Sequence, residues 1–272
     1  MTLTPDRRVD AQIKFYATSD APDLGKLEAS SRKLLADNLV KNRLPQALSA
    51  IAGAANHSRH AGLVAVAQGD LTGWKSVERY CRIREACSPR SGIKAAALAQ
   101  ALASPLLFLE WLDGAAFNGT TTAVELFFTE HPEEGQQGCE LAMFASWCHR
   151  RIQGVPSPLE PLSGPLRELT LASALPDLPS GLLESVCEFQ LSNFGLREED
   201  GTQFVLFSIL PLWWYALARA RSAKNLPTPR PDHALFSTAL AELPDKPTGY
   251  RLEDDELFPV ISDLQRQLAP ND

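Results

Sequence analysis

Several features that define whole classes of protein are missing from this sequence. Its longest apolar run, Phe204 to Ala218, covers 15 residues and contains Pro211, whereas a membrane-spanning helix needs about 20 apolar residues. Met1 is followed by Thr-Leu-Thr-Pro-Asp-Arg-Arg with no apolar segment behind it, so no secretory signal is expected. We therefore expect a cytoplasmic protein that does not enter a membrane.

Cysteine is scarce, and the common catalytic signatures are absent. The five cysteines are odd in number and irregular in spacing, which favours reduced, mostly buried thiols over a disulfide framework. The sequence contains no Gly-x-Ser-x-Gly elbow, no phosphate-binding loop, no dinucleotide glycine fingerprint and no His-Glu-x-x-His motif. We expect a binding protein rather than an enzyme, with no catalytic residues, no metal ligands and no cofactor.

Two short patterns keep an enzyme or a metal site open as alternatives. Ser91 and Lys94 lie one helical turn apart, as in a serine nucleophile activated by lysine, but the rest of such a site is missing and Ser91 also suits a helix cap. His57 and His60 have the same spacing. A zinc site needs three or four protein ligands, and no third ligand lies nearby in sequence, so ordinary surface or core histidines are the simpler interpretation.

The chain is acidic, with a formal net charge of −7 over 272 residues. This charge opposes broad attraction to nucleic acid or anionic membranes, so neither is expected as a direct partner. Hydrophobic residues make up 44% of the chain, which is typical of a folded globular protein. We predict a single helical domain over residues 1–272, and its best candidate sub-boundary is the proline- and glycine-rich segment 154–165.

Apolar residues recur at helical spacing along most of the chain. The pattern predicts helices over residues 10–18, 20–41, 44–68, 71–87, 93–112, 140–153, 166–175, 180–194, 201–224 and 252–268. In the second of these, one face carries Leu24, Leu27, Leu34, Leu35 and Leu39. Asp70 is a plausible cap for the helix that follows it, and Ala123 to Phe128 is the one segment that could pass for a strand. The predicted fold class is all-α, a multi-helix bundle of antiparallel helical hairpins, with a repeat-like stack as the alternative.

A basic stripe is the first candidate partner-binding surface. Lys75, Arg79 and Arg82 share one helical face through their four- and three-residue spacings. Such a stripe could hold an acidic partner or a phosphate. Solvated cations paired with Glu78 and Glu85 on neighbouring turns are the simpler interpretation.

An acidic cluster and a tryptophan are the other candidate contacts. The cluster consists of Glu253, Asp254, Asp255 and Glu256. Acids at a helix start are stabilised by the helix dipole, and the functional alternative is a docking face for a basic protein such as a nuclease. Trp213 and Trp214 point about 100° apart on a helix, so Trp214 could emerge as an interface hot spot, although a core position is the simpler interpretation.

Two segments carry a family resemblance. Residues 69–74, Gly-Asp-Leu-Thr-Gly-Trp, precede a predicted helix, and residues 231–240, Pro-Asp-His-Ala-Leu-Phe-Ser-Thr-Ala-Leu, follow the tryptophan-rich one. Together they resemble the helical immunity protein 49 family of bacterial polymorphic toxin and type VI secretion systems. The resemblance implies a protein that binds a cognate toxin and blocks its active site, and it carries over no inhibitory residue.

Two other functions remain open at this point. The first is a helical-repeat adaptor or regulator that holds a peptide or effector protein in a groove. The second, less favoured, is a hydrolase or transferase with an unrecognised site around Ser91, Lys94, His57 or His60.

Overall fold

The computed structural model describes residues 9–10, 21–87, 96–114, 118–131, 140–157, 164–194 and 210–268. Contacts divide the chain into two compact units. The described residues of the first unit are 21–87 and 247–268. Those of the second unit are residues 9–10 and the described residues from 96 to 246. The range 154–165, predicted as the sub-boundary, falls within the second unit. That the chain forms a single domain stays a prediction.

The described residues form α-helices and short 3₁₀ helices, with no β-strand among them, which confirms the all-α prediction. In chain order, the α-helices are α1 (Ala21–Val40), α2 (Leu44–Ala54), α3 (Asn56–Ala67), α4 (Gly73–Cys87), α5 (Ala96–Leu112), α6 (Asn118–Glu130), α7 (Glu140–Gln153), α8 (Gly164–Ala172), α9 (Leu182–Phe194), α10 (Leu212–Ser222) and α11 (Phe258–Leu268). The 3₁₀ helices are Ala234–Phe236, Ala239–Ala241 and Leu252–Asp254. Within the part of the chain that the structure describes, none of the helices has both the length and the apolar character required to cross a bilayer.

The first unit is built from two helical hairpins and the C-terminal helix. Helix α1 packs on α2, α3 packs on α4, and α11 lies against α2. Short connections join α1 to α2 and α3 to α4, which is how sequential helices become neighbours. Most of the buried core is aliphatic, and the aromatic side chains of Trp74 and Tyr80 are buried with it. The aliphatic side chains include Ile51, Leu63, Val77, Ile83 and Ile261.

Two glycines set the close approach of α3 and α4. A Cβ atom at Gly62 would lie 2.5 Å from the carbonyl oxygen of Gly73, and a Cβ at Gly73 would collide with the carbonyl oxygen of Gly62. Only glycine has no Cβ, so the two backbones can meet at this point. The Gly73 position in the segment 69–74 is therefore required by packing.

The leucine face predicted for α1 is only partly buried. Leu34 is 55% exposed and Leu39 is 41% exposed. Ser31 and Gly53 form one close contact between α1 and α2, because a Cβ on Gly53 would lie 3.0 Å from the Ser31 hydroxyl oxygen. The spacing predicts that the leucines share one face of an amphipathic helix, and at Leu34 and Leu39 this face is exposed.

The second unit packs α5 with α6, α6 with α7, α7 with α10 and α8 with α9. Its core contains large aromatic side chains, with Phe108, Phe127, Phe144 and Trp213 almost completely buried. The segment Ala123–Phe128, which resembled a strand, lies within α6. Val124 and Phe127 are both buried, and their three-residue spacing places them on one face of a helix with 3.6 residues per turn. A short apolar run cannot distinguish a strand from a buried helix.

Two other local predictions also need correction. Asp70 does not cap α4 directly: its carboxylate accepts hydrogen bonds from the backbone N–H of Thr72 at 3.0 Å and from its hydroxyl at 2.6 Å, one residue before the helix begins. The predicted helix 252–268 is interrupted. A 3₁₀ turn ends at Asp254, Asp255 has an extended backbone, and α11 begins only at Phe258.

Candidate functional site

The basic stripe and the acidic cluster meet in the first unit. Arg79 on α4 donates from Nε to Oδ2 of Asp255 at 2.6 Å and from Nη2 to Oδ1 at 3.3 Å. Arg79 also donates to the hydroxyl of Ser58. Glu256 accepts a hydrogen bond from Arg32 at 2.7 Å. The two surfaces that the sequence suggested as separate partner sites therefore contact each other through Arg79 and Asp255.

Asp255 is the anchor of this contact, with only 4% of its side chain exposed. Its carboxylate also accepts from the hydroxyl of Tyr250 at 2.9 Å and from the backbone N–H of Leu257 at 2.9 Å. Burial by itself raises the pKa of the carboxyl, but hydrogen bonds from Arg79, Leu257 and Tyr250 outweigh it and hold the pKa below its ordinary value. Asp255 is thus a buried, ionised residue that holds the segment before α11 against α4.

A second contact fixes the same segment to α4. Glu78 is completely buried and accepts hydrogen bonds from the backbone N–H of Thr248 at 2.8 Å and from its hydroxyl at 2.6 Å. Arg82 donates to the other carboxylate oxygen at 3.2 Å. The predicted pairing of the stripe with Glu78 is therefore present for Arg82, while Lys75 is exposed.

The three other acids of the cluster remain on the surface. The side chains of Glu253, Asp254 and Glu256 are each more than half exposed. Arg251 lies 3.9 Å from Glu253 and 3.7 Å from Asp254, distances at which exposed ions interact weakly. Lys75 and these three acids are the predicted partner contacts that lie open to solvent, and their contact with a partner stays a prediction.

The tandem tryptophans of α10 divide between core and surface. Trp213 is buried and donates from Nε1 to Oε1 of Gln190 at 2.8 Å. Trp214 is half-buried, packs edge-on against Phe236 and donates to the carbonyl of Pro229 at 2.9 Å. The core interpretation is right for Trp213, and Trp214 holds the proline-rich connector that follows α10.

The histidine pair is half-buried on α3. Burial, followed by the charges of Arg59 and His57, lowers the pKa of His60 to about 3. No group of three metal-ligating side chains occurs among the described residues. Ser91 and Lys94, the other candidate pair, lie outside the described residues.

The cysteines in the described residues are buried and free, as predicted: Cys81, Cys87, Cys148 and Cys187. Burial raises the pKa of each thiol, to about 12 for Cys87. A thiol with a raised pKa is a poor nucleophile at neutral pH. Cys139 lies outside the described residues.

A surface groove of the second unit was not anticipated from the sequence. It consists of two cavities of about 330 and 310 Å³ that share Trp147 and Arg151 of α7 as lining residues; we call them together the Trp147 groove. The larger cavity is also lined by Ser173 and Ala174 after α8 and by the end of α10 with the residues that follow it. The smaller one is also lined by Val155–Ser157 and by Thr170 and Leu171 of α8. The guanidinium carbon of Arg151 lies 5.6 Å from the centre of the Trp147 ring, within cation–π range.

Arg221 supports the groove from beneath. It is 1% exposed and directs its guanidinium at backbone carbonyls, including those of Ser173 at 2.9 Å, Leu175 at 2.9 Å and Pro176 at 2.9 Å. Two further bonds reach the carbonyl of Pro227. All five N–H donors of the guanidinium therefore have partners. Arg221 ties the chain after α8 to the chain after α10, which makes the groove a preformed feature.

The groove is positively charged. Arg151, Arg221 and Lys224 line it, and no aspartate or glutamate is among its lining residues in the described part of the chain. Burial lowers the pKa of Arg221, while the charge of Asp177 raises it. This local positive charge contrasts with the net charge of −7 for the chain.

Part of the groove could have been found from the sequence. Trp147 and Arg151 are four residues apart on the predicted helix 140–153, so their contact follows from helical spacing. Val155–Ser157 follow α7 directly, but the remaining lining residues come from α8, α10 and the residues that follow them, and no local pattern places these beside α7.

No description of a protein family matches the chain, and comparison with curated proteins and with solved structures likewise returns no match.

Proposed function

We propose that this chain is a cytoplasmic immunity protein of a bacterial polymorphic toxin or type VI secretion system, which binds a cognate toxin and covers its active site without catalysing a reaction. The sequence support is the resemblance of residues 69–74 and 231–240 to the immunity protein 49 family. The structural observation that carries the proposal is the Trp147 groove and its exposed apolar rim.

The rim has the composition of a protein-binding surface. Leu171, which lines the groove, is 71% exposed, and Val155, which also lines it, is 42% exposed. Single exposed leucines are ordinary, but here two aliphatic side chains lie beside an arginine and a largely buried tryptophan. Tryptophan and arginine are enriched at the residues that dominate binding energy. A tight inhibitor needs such a cluster.

The groove is also preorganised, which favours tight binding. The five hydrogen bonds of Arg221 hold its walls in place before any partner arrives, so little conformational entropy is lost on association. A stable protein complex buries about 1,600 Å² in total, more than this groove supplies. Separately from the groove, the exposed acids Glu253, Asp254 and Glu256 of the first unit are proposed as a face for a basic region of the toxin.

A helical adaptor is the second candidate, favoured by the same observation. A preformed groove with an apolar rim also suits a peptide segment of a regulated protein. The two functions differ in their consequence, because an immunity protein protects a cell from a specific toxin and an adaptor does not.

The test is co-expression of the chain with the product of each adjacent reading frame, scored for growth rescue and for co-purification. We expect one such product to be toxic and the chain to restore growth and form a stable complex. Leu171→Ser should weaken that complex about tenfold or more, a loss of about 1.4 kcal/mol. Leu34→Ser, which removes a leucine of the first unit that is 55% exposed, is the matched control and should bind like wild type. If no adjacent product is both neutralised and bound, the immunity proposal is lost.

A further inference from the structure

Resting on the proposed function, we infer that the Trp147 groove receives an acidic segment of the partner protein, with its carboxylates at Arg151 and Lys224 and an aliphatic side chain against Leu171. The inference concerns the chemistry of the occupant. It reverses, for this surface, the expectation of a basic partner that the net charge suggests.

The charge of the groove is the first argument. Three cationic side chains line it without an acid among the described lining residues. A cleft lined by one sign of charge concentrates ligands of the opposite sign. Asp177 acts on Arg221 electrostatically, but it is exposed and does not line the groove.

Arg151 and Lys224 differ from three other described cations of the second unit, Arg150, Arg219 and Arg230. Arg150 binds both carboxylate oxygens of Glu125, at 2.6 and 2.7 Å. Arg219 donates to two backbone carbonyls at the end of α5, and Arg230 pairs with Glu242 at 2.6 Å. The Arg151 guanidinium lies over the Trp147 ring, and neither Arg151 nor Lys224 pairs with a carboxylate among the described residues. Within this part of the chain, these two charges are available to an external anion.

Arg221 adds an uncompensated buried charge. Its hydrogen bonds go to neutral carbonyls, so its donors are satisfied but its charge is not cancelled by a carboxylate in contact with it. Electrostatic interactions are stronger where water is excluded. A carboxylate bound in the cavity above Arg221 would gain from this charge without a direct hydrogen bond.

The apolar rim favours a protein segment over a small anion as the occupant of the groove. A phosphate or a free carboxylate would leave Leu171 and Val155 as exposed as they are now. A peptide that carries an aliphatic side chain next to its acids covers both kinds of surface at once. Nucleic acid would require a wide basic face, whereas the cations of this groove are three in number on an acidic chain.

The experiment measures fluorescence anisotropy of a labelled peptide, Glu-Leu-Glu-Asp-Leu-Glu, titrated with the full chain. The comparison probes are the same peptide with lysine in place of each acid, inorganic phosphate as a competitor, and a single-stranded oligonucleotide. We expect saturable binding of the acidic peptide, at least tenfold weaker binding of the lysine peptide, and little competition by phosphate.

The variants locate the site. Lys224→Gln changes an exposed residue that follows α10, so it leaves the fold intact, and it should weaken peptide binding about threefold to tenfold. Arg151→Gln combined with Lys224→Gln should weaken it at least tenfold more than the control Lys33→Gln, which removes an exposed cation from the first unit. Circular dichroism checks that each variant is folded.

The inference is overturned if the chain does not bind the acidic peptide, or if the double variant binds that peptide as tightly as the wild type does. It is also overturned if the lysine peptide binds as tightly as the acidic one, or if phosphate or the oligonucleotide binds in place of the peptide. The toxin co-expression assay is independent of this titration. If the toxin is neutralised equally well by the double variant, the acidic-segment inference fails and the immunity proposal stands; if peptide binding is confirmed but no toxin is neutralised, the immunity proposal alone fails.

Discussion

Replacing Asp255 with asparagine should destabilise the first unit by about 2 kcal/mol. The substitution keeps the size of the side chain, and its amide oxygen can still accept from the backbone N–H of Leu257, as Oδ1 does. An NH2 group takes the place of the Oδ2 atom that accepts from Arg79 and Tyr250, and the negative charge is lost. The effect therefore measures the loss of the charge and of the bonds to Oδ2, without a change in side-chain size.

The magnitude follows from the burial of the two partners. Removing one member of a buried ion pair costs about 3–5 kcal/mol, because the remaining charge loses its compensation. Asp255 is 4% exposed, whereas the Arg79 side chain is 24% exposed, so water can partly solvate the guanidinium in the variant. This solvation lowers the expected cost to about 2 kcal/mol, and truncation to alanine, which loses all the hydrogen bonds, should cost about 1 kcal/mol more.

Urea unfolding followed by circular dichroism measures the change. Glu256→Gln is the matched control, because it neutralises the next residue, which is exposed, and its midpoint should match that of the wild type. A double-mutant cycle of Asp255→Asn with Arg79→Gln should give a coupling of about 1–2 kcal/mol. A cost for Asp255→Asn below about 0.5 kcal/mol, or additive single effects, would show that the pair does not hold the C-terminal segment.

The pH dependence gives a second measurement of the same pair. Because the folded-state pKa of Asp255 is lowered, its contribution is fully present above the ordinary aspartate pKa of about 4 and is lost as the pH falls through the lower folded value. The stability difference between wild type and Asp255→Asn should be constant from about pH 6 to 8 and should shrink below about pH 4. A difference that grows in acid would contradict this assignment.

Three further changes test other parts of the structure. Gly62→Ala should destabilise the protein by about 2 kcal/mol in urea because its Cβ would meet Gly73, while Gly119→Ala, where the nearest atom is 3.4 Å away, should be neutral; equal effects would refute the close helix contact. The lowered pKa of His60 means that the unfolded chain takes up a proton first, so stability should fall as the pH drops from about 6.5 towards 3, and His60→Gln should flatten that slope. In a Cys139→Ser chain, the four buried thiols should react with a thiol reagent much more slowly when native than in urea, and equal rates would show that they are accessible.

The helical nature of the chain was determined by the sequence alone. Hydrogen bonds of a helix join residues four positions apart, so local spacing and helix-breaking residues carry most of the information. The prediction for residues 140–153 matches α7 at both ends, and the helix before Pro89 ends at Cys87 as expected. The all-α class follows from many such local decisions.

Local reasoning failed where tertiary contacts competed with it. Ala123–Phe128 has the composition of a strand, but its buried side chains follow the helical period in α6. Asp255 was predicted within the last helix. It has an extended backbone instead, because its carboxylate binds Arg79 and the N–H of Leu257 at the start of α11.

Only the tertiary structure decided which charges and apolar side chains a partner can reach. Arg79 and Asp255 looked like two surfaces, but packing brings them together across 176 residues of sequence and removes both from solvent for the most part. Trp147, Arg151 and Lys224 belong to no motif, yet the packing of α7, α8 and α10 places them in one groove. Exposure and long-range pairing depend on how helices pack, and the spacing of residues along one helix does not contain that information.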